Sequence, residues 1–383
     1  MKKLERIEKF EPQVQIESPG RINLIGEHTD YNEGFAMPTA IDKKLRLEFR
    51  RNDSDTCRIY SETFKIGFEF KLREELERGT DWENYILGVV DQIQKAGKSI
   101  GGFDCSIHSN LPVGAGISSS AALECGIASG LNELFSLGLN SLEIVKLSQQ
   151  AENDFVGSNC GIMDQYSSVF SKQDHLILLD CRTLDVEFIP ANFKNCKLLL
   201  LNTNVAHNLA DSEYNSRRAD CEKAVLRIQK DYPKVNALRD VDIDTLVQYK
   251  DRFSKTIYQR CLYVLEENQR VLQAANSLRK GNLQEFGSFM YQSHEGLQNK
   301  YEVSCKELDF LVDYSRDKDF IYGSRMMGGG FGGCTLNLIE EDKIDNYVEE
   351  VSSAYRDKFN IKLDAFSVLP DAGTQIIIND YRL

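Results

Sequence analysis

Ser18-Pro-Gly-Arg21-Ile-Asn-Leu-Ile-Gly26-Glu27-His28-Thr29-Asp30-Tyr-Asn-Glu-Gly34-Phe-Ala-Met37 sets a short apolar run, Ile22 to Ile25, against a glycine and then a burst of charge. Arg21 precedes the break, Glu27, His28 and Asp30 follow it, and Gly34 closes the loop. Charged groups beside an apolar segment are costly to bury unless they are paired or hydrogen-bonded. A ligand rich in hydroxyls gives them work, because carboxylate and imidazole groups serve several hydroxyls at once and glycine lets the backbone come close. The plainer alternative is an ordinary charged hairpin.

Two glycine-rich stretches lie further along. Leu111-Pro-Val-Gly114-Ala115-Gly116-Ile117-Ser118-Ser119-Ser120-Ala-Ala-Leu-Glu124 carries two glycines and three serines into a helix-forming sequence. Backbone N–H groups and hydroxyls at the positive end of a helix make an anion site, and phosphate is the expected anion. If the glycines only turn the chain and the serines only cap the helix, three successive serines exceed what a cap needs. Met326-Met327-Gly-Gly-Gly-Phe-Gly-Gly-Cys334 places five glycines in six positions, where a tight bend needs one or two. Close approach of a ligand or another chain segment is the expected reason. Asp164, in Cys160-Gly-Ile-Met-Asp164-Gln, and the segment Asp211-Ser-Glu-Tyr214 are further candidates, though each also reads as an ordinary helix start. Gly97-Lys98-Ser99 imitates the end of a Walker A loop, but Gln92 stands where that loop needs glycine, and the protein-kinase landmarks are missing.

Composition narrows the class. With 383 residues, 42% of them hydrophobic and 27% charged, the chain is expected to form two domains, divided near Pro190 into 1–190 and 191–383. A net charge of −13 argues against nucleic acid or an anionic membrane as a partner. The N-terminus lacks the apolar core of a signal peptide, and no run of about 18 apolar residues suggests a membrane span. The ten cysteines are scattered without a C-x-x-C pair, which fits a reducing cytoplasm and argues against zinc or a disulfide framework.

Residue patterns predict strands over 14–16, 22–25, 45–49, 57–61 and 103–108, and helices over Trp82–Ala96, Ser119–Phe135 and Ser141–Val156, the last with Ser141 as N-cap. Short apolar runs at 176–179 and 198–201 have strand length. The second half reads as helices over 212–231, 256–279, 283–300 and 304–316, then strands near 321–326 and 335–339, a helix over 344–359 and a strand at 365–369. This irregular alternation predicts α+β rather than a doubly wound parallel sheet.

Together the three motifs resemble the galactokinases, within the GHMP family of small-molecule kinases. Gly20 to Gly34 is similar to the galactokinase signature, Leu111 to Glu124 to the phosphate-binding motif, and Gly323-Ser-Arg-Met326-Met327-Gly to Cys334 to the C-terminal glycine loop. Ile117 stands where leucine is usual and Met327 where threonine is usual. The resemblance implies two α+β domains with the active site in the cleft between them. It also implies ATP-dependent phosphorylation of the anomeric hydroxyl of galactose, giving galactose 1-phosphate and ADP. Asp164 would be the general base and Arg21 the group that orients it and stabilises charge. Glu27, His28, Thr29, Asp30 and Tyr214 would bind the sugar, and Gly114, Ala115, Gly116, Ile117, Ser118, Ser119 and Ser120 the triphosphate. Trp82, Tyr85 and Ser61 would border the nucleoside, and Ser120 and Glu152 would hold Mg2+. A cytoplasmic monomer is expected, with galactose and ATP as its small-molecule partners. The rival readings are a kinase for a related sugar, such as N-acetylgalactosamine or arabinose, and a non-catalytic galactose and ATP sensor. The intact Ser120-Ala-Ala-Leu-Glu124 speaks against the sensor.

Overall fold

The computed structural model describes residues 2–72, 76–80, 82–205 and 210–377, with the side chains of 210–212 outside that description. In the first half the strands are β1 (Lys2–Leu4), β2 (Val14–Asn23), β3 (Phe35–Ala36), β4 (Pro38–Arg51), β5 (Thr56–Ser61), β6 (Ile66–Lys71), β7 (Phe103–Ser109), β8 (His175–Asp180) and β9 (Val186–Pro190). The helices there are α1 (Trp82–Lys95), α2 (Ser119–Phe135), α3 (Ser141–Gln150) and α4 (Met163–Phe170). The second half carries β10 (Cys196–Asn202), α5 (Ala210–Gln229), α6 (Ile243–Gln248), α7 (Lys255–Arg279), α8 (Leu283–Gly296) and α9 (Lys306–Arg316). It closes with β11 (Ile321–Met326), β12 (Cys334–Glu340), α10 (Ile344–Phe359), β13 (Asp364–Val368), β14 (Pro370–Asp371) and β15 (Gln375–Ile377).

Alternation along the second half of β4 helps build the first sheet: Leu45, Leu47 and Phe49 are buried, whereas Arg46 and Glu48 keep contact with water, and β2 beside it is buried almost throughout. The sheet runs β1-β6-β5-β7-β4-β2-β15, with β14 on β4, and is antiparallel except for β5 beside β7. Register shifts between Pro19 and Arg21, a bulge of the kind that re-aims a side chain, and Arg21 leaves it toward the start of α4. Helix α2 lies very close to this sheet because Gly126 and Gly130, four residues apart, share the face it presents. A Cβ on Gly130 would fall 2.2 Å from Phe49 Cε2, and one on Gly126 2.7 Å from Leu47 Cδ1. Gly130→Ala gains up to about 1 kcal/mol of helix propensity. Overpacking against Phe49 costs about 1–3 kcal/mol, so the variant is expected to unfold at lower denaturant concentration than the parent.

A second sheet, β11-β12-β10-β13, is covered on both sides. Leu199 and Leu201 of β10 join Leu311 of α9 and Tyr347, Val351 and Tyr355 of α10, while Leu198 and Leu200 join Phe286 and Met290 of α8 in the main core. The continuous leucine run of β10 follows from that double burial. A third small sheet, β3-β8-β9, is antiparallel. The connection from β9 to β10 contains the expected division at 190/191, and β14 and β15 return from the far end of the chain to the first sheet. Mixed helices and largely antiparallel sheets make the fold α+β, as the sequence predicts.

Two expectations are corrected. Asn140, not Ser141, caps α3: its side chain accepts from the Glu143 amide at 3.0 Å, and Glu143 accepts from the Asn140 amide at 2.8 Å. The α-helix expected to reach Val156 stops at Gln150 and continues as a π-helical turn over Ala151–Val156, which carries Glu152. Likewise α8 gives way to a π turn over Leu297–Tyr301. Such turns re-aim side chains and recur at functional sites.

Candidate active site

Arg21 and Asp164 meet across 143 positions of sequence in a two-point contact, with Nε donating to Oδ1 at 2.7 Å and Nη2 donating to Oδ2 at 2.9 Å. Nη1 donates to the Gly116 carbonyl at 2.8 Å, and the Arg21 amide donates to the Ile117 carbonyl at 2.9 Å, so the same residue ties the first motif to the glycine–serine loop. Burial works against the charge on this guanidinium, but the Asp164 carboxylate outweighs it and raises the Arg21 pKa above its ordinary value.

Around the pair lies a polar cavity lined by Glu27, His28, Asp30, Glu152 and Tyr214, among others, with Gly328 and Gly329 of the third glycine stretch closing one side. Glu27 is 2% exposed; its Oε1 accepts from the Gly328 amide at 2.8 Å and lies 3.2 Å from Arg325 Nη2. His28 has a left-handed backbone, φ 61°. Burial, with the charges of Arg217 and Arg325, lowers its pKa to about 3, so the imidazole is neutral. Nε2 faces the Gly329 carbonyl at 3.3 Å and is therefore the donor, leaving Nδ1 to accept from Tyr31 at 2.7 Å. Burial and then the charge of Asp164 push Asp30 up to about 6. Tyr214 packs with its ring centre 5.2 Å from that of His28. Thr29 is placed differently: its hydroxyl donates to the carbonyls of Gly26 and Phe35, at 2.8 and 2.7 Å, and ties the loop together without lining the cavity.

The phosphate loop runs from β7 into α2. Gly114, Gly116 and Ser118 all have positive φ, near 68°, 68° and 55°. Beside it opens a second, apolar pocket lined by Ser61, Trp82, Tyr85, Pro112 and Val113, with Ser119 and Ser120 at its edge. The two cavities adjoin where Ser120 Oγ donates to Glu152 Oε1 at 3.3 Å. Burial and the charge of Asp164 push Glu152 up to about 7, and Glu124 beside it is raised further by burial and by Glu152. Gln165 joins them, donating to Glu152 Oε2 at 2.6 Å and to Glu124 Oε2 at 3.1 Å. Oε1 of Glu124 is buried without a hydrogen-bond partner. A hydroxyl and a carboxylate, with a second carboxyl behind them, offer the oxygen donors that a hard cation takes. One or two protein oxygens plus phosphate is the usual magnesium arrangement, so the absence of any larger acidic cluster among the described residues does not conflict with it.

Sequence reading missed the supports of this wall. Arg325 is fully buried and donates through Nη1 to the Asn23 carbonyl at 2.8 Å. Helix α7 takes three backbone groups of the sugar loop: Glu267 accepts from the Gly26 amide at 2.9 Å, Asn268 accepts from the Phe35 amide at 2.9 Å, and the Tyr263 hydroxyl donates to the Glu27 carbonyl at 3.1 Å. Arg325 sits inside the quoted third motif and was open to notice there. The α7 residues carry no local signal.

A small polar cavity, a base-like carboxylate held by arginine, and a glycine–serine loop leading to an apolar pocket define a small-molecule kinase. The described families agree: residues 84–172 match the GHMP kinases N terminal domain, 274–357 the GHMP kinases C terminal domain, and 5–51 the galactokinase galactose-binding signature. A galactokinase of Thermosipho africanus is 43% identical over 349 residues, covering 91% of this chain and 96% of that protein. One of Thermotoga maritima is 40% identical over 364 residues, covering 95% and 100%. The crystal structure of Lactococcus lactis galactokinase complexed with galactose superposes with a TM-score of 0.90 at 33% identity, covering 95% of both chains. Methanococcus jannaschii mevalonate kinase shares the fold, with a TM-score of 0.64 at 20% identity over 95% of this chain and 99% of that one. The chain belongs to the galactokinase family of GHMP kinases, and it is an enzyme that phosphorylates galactose with a nucleotide as co-substrate.

Proposed function

We propose that the enzyme transfers the terminal phosphoryl group of ATP to the anomeric hydroxyl of galactose, releasing galactose 1-phosphate and ADP. The observation that carries this reading is the position of the Arg21–Asp164 pair, on the rim of the polar cavity and bonded to the phosphate loop through Gly116. Glu27, His28, Asp30 and Tyr214 hold the sugar, with Thr29 fixing the loop they stand on. Asp164 takes the proton of the attacking hydroxyl, and Arg21 orients its carboxylate and spreads charge in the transition state. Catalysis of this kind is mainly positioning and charge stabilisation. The amides of Gly114–Ser120 and the start of α2 hold the triphosphate. Ser120 and Glu152 would hold Mg2+, which when bound neutralises triphosphate charge. A coupled assay of ADP release against galactose, N-acetylgalactosamine and arabinose tests the sugar assignment. Galactose is expected to give the highest kcat/KM, and a higher value for either analogue would overturn it.

Trp82 is the sole tryptophan of the chain, and it lines the apolar pocket, its ring centre 5.3 Å from that of Phe68. A nucleoside in that pocket displaces water from the indole. Titration with ADP is therefore expected to change tryptophan emission, and galactose alone to leave it unchanged. ADP binding seen by calorimetry with unaltered emission would place the base elsewhere.

A further inference from the structure

Ser118 breaks two local rules at once. It is the N-cap of α2, a position where serine normally accepts from an amide in the helix's first turn, yet its side chain makes no capping hydrogen bond. It also holds a left-handed backbone, φ 55° and ψ 53°, which an L-residue other than glycine adopts at a cost. Glycines at 114 and 116 adopt the same region of φ freely, so the loop's course alone does not ask for a serine at 118. Strain at a non-glycine residue persists when the side chain has a task there.

The hydroxyl has such a task. Ser118 Oγ donates to Asp164 Oδ2 at 2.5 Å. Oδ2 also accepts from Arg21 Nη2, whereas Oδ1 accepts only from Arg21 Nε among the hydrogen bonds of this side chain. A carboxylate oxygen has two lone-pair sites, so Oδ2 is filled and Oδ1 keeps one open. We propose that Ser118 is a positioning residue for Asp164: its hydroxyl saturates Oδ2, fixes the rotation of the carboxylate, and leaves Oδ1 as the oxygen that accepts the proton of the sugar hydroxyl. This inference rests on Asp164 being the base. It separates Ser118 from its neighbours Ser119 and Ser120, which line the nucleotide side. It also accounts for a serine where the backbone favours glycine.

Two substitutions separate the hydroxyl from the backbone. Ser118→Gly removes the hydroxyl and relieves the strain; Ser118→Ala removes the hydroxyl and keeps the strain. Loss of a hydrogen bond to a charged group, and of the alignment it gives, is expected to lower kcat about tenfold or more in both variants. KM for ATP stays within about twofold, and Ser118→Gly melts no lower than the parent. A merely structural serine predicts a change in melting with kcat intact, and a nucleotide-binding serine predicts a raised KM for ATP with kcat intact; either result overturns the proposal. Asp164→Asn is assayed beside them. If it loses turnover while Ser118→Gly does not, the base assignment stands and the role of Ser118 fails. If Asp164→Asn turns over normally, the base assignment fails and the role of Ser118 fails with it.

Discussion

Asp164→Asn is expected to fold and to turn over at least ~100-fold more slowly than the parent, in line with loss of general-base help. Asparagine keeps one oxygen able to accept from Arg21 and Ser118, which now meet Asp164 at 2.7–2.9 and 2.5 Å. The carbonyl of Gly116 still takes one guanidinium N–H. What the variant loses is the negative charge and the capacity to take a proton. Glu27, His28, Asp30 and Tyr214, proposed to hold the sugar, stand on other elements, so KM for galactose is expected to move by no more than a few fold, with the effect concentrated in kcat. Steady-state kinetics under saturating ATP read both parameters. Turnover within a few fold of the parent would remove Asp164 from the chemistry.

The second large effect concerns stability. Arg325 and Glu27 are 0% and 2% exposed, and their charged groups lie 3.2 Å apart. The contact is an ion pair more than an aligned hydrogen bond, since Arg325 Nη2 has no hydrogen-bond partner although Nη1 donates to the Asn23 carbonyl. Arg325→Met fills much of the same volume but leaves Glu27 with the Gly328 amide as its hydrogen-bond donor. Stranding one partner of a buried pair costs about 3–5 kcal/mol, more than such a pair contributes relative to apolar residues. Equilibrium denaturation of Arg325→Met is expected to show a loss of that size. The double variant Arg325→Met with Glu27→Gln is expected to recover part of it, because no uncompensated charge remains. A loss below about 1 kcal/mol in the single variant would mean that water or another group already serves Glu27.

Much of this architecture is legible in the chain. Alternation in β4, the helical period of α1, and the leucine run of β10 follow the faces these elements bury. The glycine stretch before Cys334 brings chain segments close, as its composition suggests: Gly328 and Gly330 have positive φ, and a Cβ on Gly330 would sit 2.1 Å from the Val303 carbonyl. The N-cap of α3 was misread by one residue because Asn140 and Ser141 are both capping types. Glu143, three residues after Asn140, decides it by closing a capping box. The π turns left no separate mark, since their residues continue a helical pattern. The supports of the sugar loop were out of reach for a different reason. Glu267 meets Gly26 across 241 positions and Asn268 meets Phe35 across 233, and contacts so distant leave no period or spacing to read. The short β14 and β15 return to the first sheet under the same handicap. Asp164 shows the opposite case: its own segment reads as a common helix start, and its likeness to a family motif, together with the Arg21 contact, is what singles it out.

In the proposed reaction the two walls of the site present the anomeric oxygen, and no other, to the terminal phosphate of ATP. Galactose labelled with carbon-13 at C1, incubated with the enzyme, ATP and magnesium, tests it by NMR of the product. The expected product shows a phosphorus resonance coupled to the labelled C1 and to its attached proton. Phosphorus coupled instead to the C6 methylene, with C1 unphosphorylated, would contradict it.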